Sequence, residues 1–108
     1  MTKRNRPRRI VILIFDGLQS LDATGPLEVF ALANFERQRL ADAPAYSVEV
    51  VAPNAGVVTS HSGLRLLADR ACRAVGPGVD TLIVAGGDVR EVAADRAVRR
   101  WLVACSRR

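Results

Sequence analysis

The apolar positions of this chain come as short unbroken runs separated by stretches with helical spacing. Arg9–Phe15 (RIVILIF) is aliphatic and β-branched almost without interruption, and Asp16-Gly17 ends it. A strand that faces water on one side alternates apolar with polar residues, whereas a run without alternation belongs to a strand buried on both faces, as in parallel sheets. Tyr46–Ala52 (YSVEVVA) predicts a second strand, closed by Pro53-Asn54-Ala55-Gly56, and Asp80–Ala85 (DTLIVA) a third, running into Gly86-Gly87.

Between the first two strands, Leu21–Pro26 (LDATGP) reads as turn chemistry leading into a helix. Pro26 suits the first helical position, where its missing N–H would lack a partner in any case. Leu27, Phe30, Ala31 and Asn34 then share one face, widened by Val29, Leu32 and Ala33, and the helix is expected to run to about Leu40. This strand–helix–strand order is a βαβ unit with a right-handed crossover. Val57–Ser60 and Leu64–Ala68, around His61-Ser62-Gly63, predict a short hairpin, and Asp69–Gly78 a connector with at most a short turn. Asp88 followed by Glu91 fits a helix-capping box, and Ala94, Val98, Trp101, Leu102 and Cys105 recur at helical spacing to the end of the chain. The fold class is α/β with at least three core strands.

Composition narrows the function classes. Hydrophobic residues make up 49% of the 108 residues, which is the balance of a globular chain. The longest apolar run, Ile10–Phe15, is far below the roughly 20 residues that span a bilayer. No segment has the build of a signal peptide, so the expected location is cytoplasmic, with no membrane partner. The net charge of +5 comes from a basic leader over residues 1–8 and its junction at Arg9. Without Lys3, Arg4, Arg6, Arg8 and Arg9, 11 basic residues face 11 acidic ones. Such a leader is a solvated tail that adds salt-sensitive attraction to polyanions, and this segment is not expected to read DNA sequence. Cys72 and Cys105 lack metal-ligand or disulfide-framework spacing, so no metal and no cofactor is expected.

Ligands in open parallel sheets gather beyond the carboxyl ends of the strands. Asp22 and Gly86-Gly87 fall there. Asp22 precedes the expected helix and suits either its positive end or general acid–base work. Glu28 reads as a solvated acid or dipole partner. Gly86-Gly87 suits either a tight strand-to-helix turn or backbone N–H donors aimed at a ligand, as in an oxyanion hole. A nucleophile is harder to place. Cys105 reads as part of a packed helix face, Cys72 lies in the connector, and His61, with Ser60 and Ser62 beside it, reads as a surface loop without a triad.

Read as IVILIFDGLQSLDATGPLEVF, Ile10–Phe30 resembles the opening of the DJ-1/PfpI superfamily, the class I glutamine-amidotransferase-like fold. The similarity continues through Tyr46–Ala52, Ser60-His61-Ser62-Gly63-Leu64, VDTLIVAGG at Val79–Gly87, and Arg99-Arg100-Trp101-Leu102. Two branches come closest: isonitrile hydratases and the N-terminal domains of AraC-family transcription regulators. The resemblance implies a flavodoxin-like three-layer fold with a mainly parallel sheet, partial here, with residues 9–108 ending before the nucleophile-elbow strand. It implies that Asp22 is the acidic residue facing the family's reactive cysteine, and that Gly86 and Gly87 are the donors beside it. That cysteine would lie on the elbow after the next strand. Two functions are therefore expected: the ligand-sensing and dimerising part of an AraC-type regulator, with DNA contact made elsewhere, or a piece of an isonitrile hydratase-like enzyme that lacks its nucleophile. A homodimer and an unidentified small-molecule ligand are the implied partners.

Overall fold

The computed structural model describes residues 6–107. The expected leader falls outside the described residues up to position 5; Arg6 and Pro7 are exposed, and Arg8 already opens β1. The strands are β1 (Arg8–Leu13), β2 (Tyr46–Ala52), β3 (Gly56–Thr59), β4 (Arg65–Ala68), β5 (Arg70–Ala71) and β6 (Thr81–Val84). The helices are α1 (Leu21–Arg39), α2 (Arg90–Ala94) and α3 (Arg96–Ser106), and a 3-10 turn covers Cys72–Ala74.

A four-stranded parallel sheet in the order β5-β2-β1-β6 forms the centre, so the class is α/β with a flavodoxin-like arrangement. The unbroken apolar run explains the order. Every residue from Ile10 to Phe15 is at most 2% exposed, which places β1 between two paired neighbours with both faces covered. The register runs from Arg8 opposite Tyr46 to Leu13 opposite Val51, with Ile10 opposite Thr81 on the other side. β3 and β4 form the expected antiparallel hairpin apart from the main sheet. The connector after it contributes β5, two residues long and too short to leave a periodic signal.

Three expectations need correction. Helix α1 begins at Leu21, not near Pro26, so Pro26 lies inside it. Pro26 cannot donate to the carbonyl of residue 22, one turn earlier, and this defect is tolerated because Asp22 sits in the exposed first turn. The core face of α1 is Ala23, Leu27, Phe30 and Asn34, whereas Val29, Ala31 and Leu32 point outward. The last segment is not one helix. Asp88 forms no box with Glu91; its carboxylate accepts the Arg90 N–H at 3.2 Å and pairs with the Arg90 guanidinium. Helix α2 ends at Asp95, whose carboxylate accepts from Ala97 N–H at 2.9 Å and Val98 N–H at 3.1 Å to start α3.

Polar contacts fix how the helices sit. Asn34 reaches from mid-α1 to the start of β2, donating to the Tyr46 carbonyl at 2.7 Å and accepting from Ala45 and Tyr46 N–H at 3.0 Å each. Phe30 packs on the Tyr46 ring with centroids 4.7 Å apart. On α3, buried Val98 and Trp101 face the core, and the Trp101 indole N–H donates to the Val75 carbonyl at 3.1 Å. The packed-face reading of Cys105 fits, since it lies half-buried against this core. No helix among the described residues is long and apolar enough to cross a membrane.

Candidate functional site

The carboxyl ends of β1 and β6 are adjacent, and the loops that leave them are joined by main-chain bonds. Leu18 and Gly87 form an antiparallel bridge, with Gln19 N–H donating to the Gly86 carbonyl at 2.8 Å and Asp88 N–H to the Gly17 carbonyl at 3.2 Å. This approach requires glycine at position 87. Its φ is +123°, and a Cβ there would lie 2.5 Å from the Gly17 carbonyl oxygen and 2.8 Å from Gln19 N. Asp22, in the first turn of α1, then turns one carboxylate oxygen onto this seam: Oδ2 accepts the Gly86 N–H at 2.8 Å. The early start of α1 makes this contact possible, and the positive end of the helix favours the carboxylate.

The two glycine donors thus have different fates. Gly86 N–H is taken by Asp22, while Gly87 N–H finds no acceptor among the described residues. The second Asp22 oxygen, Oδ1, is likewise without a partner among them, and Asp22 is exposed. An open acceptor and an open donor therefore flank one hydrogen bond.

The β3–β4 hairpin forms the neighbouring wall, which spacing in the sequence did not reveal. Asp16 Oδ1 accepts Thr59 N–H at 2.9 Å, Gly17 N–H donates to the Thr59 carbonyl at 2.9 Å, and His61 N–H to the Leu18 carbonyl at 3.0 Å. His61 is exposed, as its loop position suggested, but its backbone is fastened to the site loop. Ser60 is buried, and its hydroxyl, 2.9 Å from that of Ser62, accepts Leu64 N–H and closes the hairpin tip. Only the polar Asp16-Gly17 after β1 could have signalled this junction, and it reads more simply as a strand end. Glu28 is exposed on α1, away from these bonds.

The cysteines stand elsewhere. Cys72 is 1% exposed, and burial pushes its thiol up from the ordinary range. Cys105 lines an apolar cavity of about 180 Å³ with Val75, Pro77 and Val79, before the start of β6, whereas Gly86 follows the end of that strand. Neither thiol is bonded to Asp22 or to the glycine pair. A cleft of about 330 Å³ on the other side of Asp16 carries Asn54, Glu91 and Asp95. Asp16 and Asp95 there are already engaged by backbone N–H groups, and no group of three metal-type ligands occurs among the described residues. At the rim, the Arg90 guanidinium pulls the Asp88 carboxyl down to about 2.

The parallel order β5-β2-β1-β6 with helices packed on the sheet defines a flavodoxin-like class. Within it, the chain belongs to the DJ-1/PfpI family, whose model matches residues 8–105. It is 42% identical over 82 residues to an uncharacterized protein in the cpoL 5′ region of Streptomyces lividans, covering 76% of this chain and 53% of that one. Among solved structures it is similar to an AraC family transcriptional regulator from Pseudomonas putida, with TM-score 0.74 and 24% identity, over 93% of this chain and 59% of that one. It is also similar to Drosophila melanogaster DJ-1beta, with TM-score 0.72 and 12% identity, over 92% and 50%. The chain spans about half the length of these proteins.

Proposed function

We propose that residues 9–108 serve as the ligand-sensing and self-associating part of an AraC-type transcription regulator, with base-specific DNA contact made outside this segment. The observation that carries this reading is the Asp22–Gly86 bond beside the open Gly87 N–H. A carboxylate fixed by a backbone N–H, beside the open Gly87 N–H, suits recognition of a group that offers a donor and an acceptor together, such as a primary amide. In that reading Asp22 and Gly87 bind the ligand, and the Gly86 N–H orients the Asp22 carboxylate. The likeness to the Pseudomonas putida regulator over most of this chain supports the assignment to that branch.

Self-association is supported by the outer side of α1. Leu21, Val29, Leu32, Phe35 and Leu40 are each 59–68% exposed there, opposite the core face. β6 lies at the sheet edge with Val84 48% exposed. Edges and apolar stripes of this kind pair with a second copy unless covered. Sedimentation of residues 1–108 is expected to show a dimer that Leu32→Glu/Phe35→Glu dissociates; a monomer at all concentrations counts against this part.

The binding role is tested by titrating small primary amides while following the Gly87 amide resonance. A saturable shift in the wild type, lost in Asp22→Ala, is the expected result. No shift, or one indifferent to Asp22, overturns it. The second reading, part of an isonitrile hydratase-like enzyme with Asp22 moving protons, requires a nucleophile placed at this seam, and neither cysteine of the chain occupies it.

A further inference from the structure

Helix α3 divides its residues cleanly. Val98 and Trp101 are buried and Leu102 and Cys105 half-buried on one side, while Arg96, Arg99, Arg100 and Arg107 at its end are exposed on the other, with Val103 among them. No acidic residue occurs from position 96 to 107. None of the four arginines has a carboxylate partner among the described residues; the ion pairs there engage Arg9, Arg39, Arg70 and Arg90 instead.

This pattern works against the helix itself. Arg96 sits at the positive end, where the helix dipole disfavours a cation. It also stands at i, i+3 from Arg99 and i, i+4 from Arg100, and such like-charge pairs cost a few tenths of a kcal/mol each. Arg107 alone stands where a helix favours positive charge. A solvated helix face usually mixes both signs, and this one does not.

We propose that the outer face of α3 binds the phosphate backbone of duplex nucleic acid, without reading bases. Eleven residues of helix extend about 16 Å, which matches roughly five successive phosphates at about 3.4 Å per nucleotide along the axis. A guanidinium binds phosphate oxygens through paired N–H donors. A membrane surface fits less well, because the apolar side of α3 is used in the core and only Val103 remains outward to insert. An acidic protein partner fits less well too, since a protein interface needs an apolar centre inside its charged rim. The proposal is independent of the Asp22 site. It is compatible with base reading elsewhere, because a backbone contact carries no sequence information.

The test is fluorescence anisotropy of residues 1–108 with a labelled random-sequence duplex of about 25 base pairs, between about 50 and 200 mM salt. The variant Arg96→Gln/Arg99→Gln/Arg100→Gln/Arg107→Gln is expected to lower the slope of log affinity against log salt by about 3 to 4, at about 0.9 per phosphate lost. The corresponding Lys variant keeps that slope. If the fourfold variant misfolds, Arg96→Gln/Arg100→Gln and Arg99→Gln/Arg107→Gln are each expected to remove about half of it. The leader variant Lys3→Gln/Arg4→Gln/Arg6→Gln lowers the slope separately and leaves the α3 contribution in place. The proposal is overturned if the α3 variants bind as the wild type does, or if the leader variant abolishes binding alone. Equal affinity for polyglutamate or for phosphatidylserine vesicles overturns it as well.

Discussion

The Asp22 carboxylate holds the Gly86 N–H at 2.8 Å across 64 residues of sequence, tying the first turn of α1 to the end of β6. A Cβ at position 86 would lie only 2.8 Å from that same oxygen, too close for a carbon–oxygen contact. Gly86→Ala therefore pushes the carboxylate aside, at a cost of about 1 kcal/mol for one exposed, charge-assisted bond. Gly87→Ala costs about 3 kcal/mol or more, because positive φ and contact with fixed backbone act together. The Asp22→Ala/Gly86→Ala double variant is expected to cost less than the sum of its singles, since either change alone breaks the same bond. Denaturant melts of the cycle check this, and additive values would mean the bond contributes nothing.

Asn34 is the main polar link between α1 and β2. Asn34→Leu leaves the Ala45 and Tyr46 N–H groups and the Tyr46 carbonyl without their partner, and about 2–3 kcal/mol of stability is expected to go with them. An unchanged melting curve would show that water replaces the amide at no cost.

Glu49 sets the pH dependence of the β2–β5 edge. The Arg70 guanidinium, with one N–H···O contact at 2.8 Å, holds the Glu49 carboxyl below its ordinary range, aided by Arg9 at 3.7 Å. A carboxyl lowered in the folded state stabilises above its unfolded pKa, and that contribution disappears as pH falls through the folded value. Glu49→Gln should then destabilise by up to about 1 kcal/mol at neutral pH, as partly exposed pairs do, and match the wild type well below pH 4. A difference that persists in acid would assign the effect to packing.

The thiols should separate kinetically. Cys72, buried and held protonated, reacts with a maleimide only on unfolding, whereas half-buried Cys105 reacts in the native protein. Two equal rates would contradict their placement.

Much of this fold was legible because β1 is buried on both faces, and an unbroken apolar run has no other simple reading. The family motifs also located Asp22 and Gly86-Gly87 before the loops could be seen to meet. What escaped was decided by tertiary contact. Pro26 read as a helix start because an interior proline is costly, yet the turn before it is held by the seam with Gly86. Asp88 read as half of a capping box with Glu91, but its carboxylate is held by the Arg90 N–H and guanidinium, and Asp95 caps the separate helix α3. β5 and the fastening of His61 to Leu18 rest on backbone bonds that residue type does not encode. The outward placement of Val29 and Leu32 was hidden because α1 is apolar nearly all round, leaving no polar face to orient it.

The most direct test of the Asp22 site as a binding seam is a turnover assay of residues 1–108 with an alkyl isonitrile, alongside Asp22→Asn and Cys72→Ala/Cys105→Ala. Hydration at the uncatalysed rate in all three is the predicted result. Turnover that survives loss of both cysteines and disappears with Asp22→Asn would contradict the account, and would make this seam catalytic by itself.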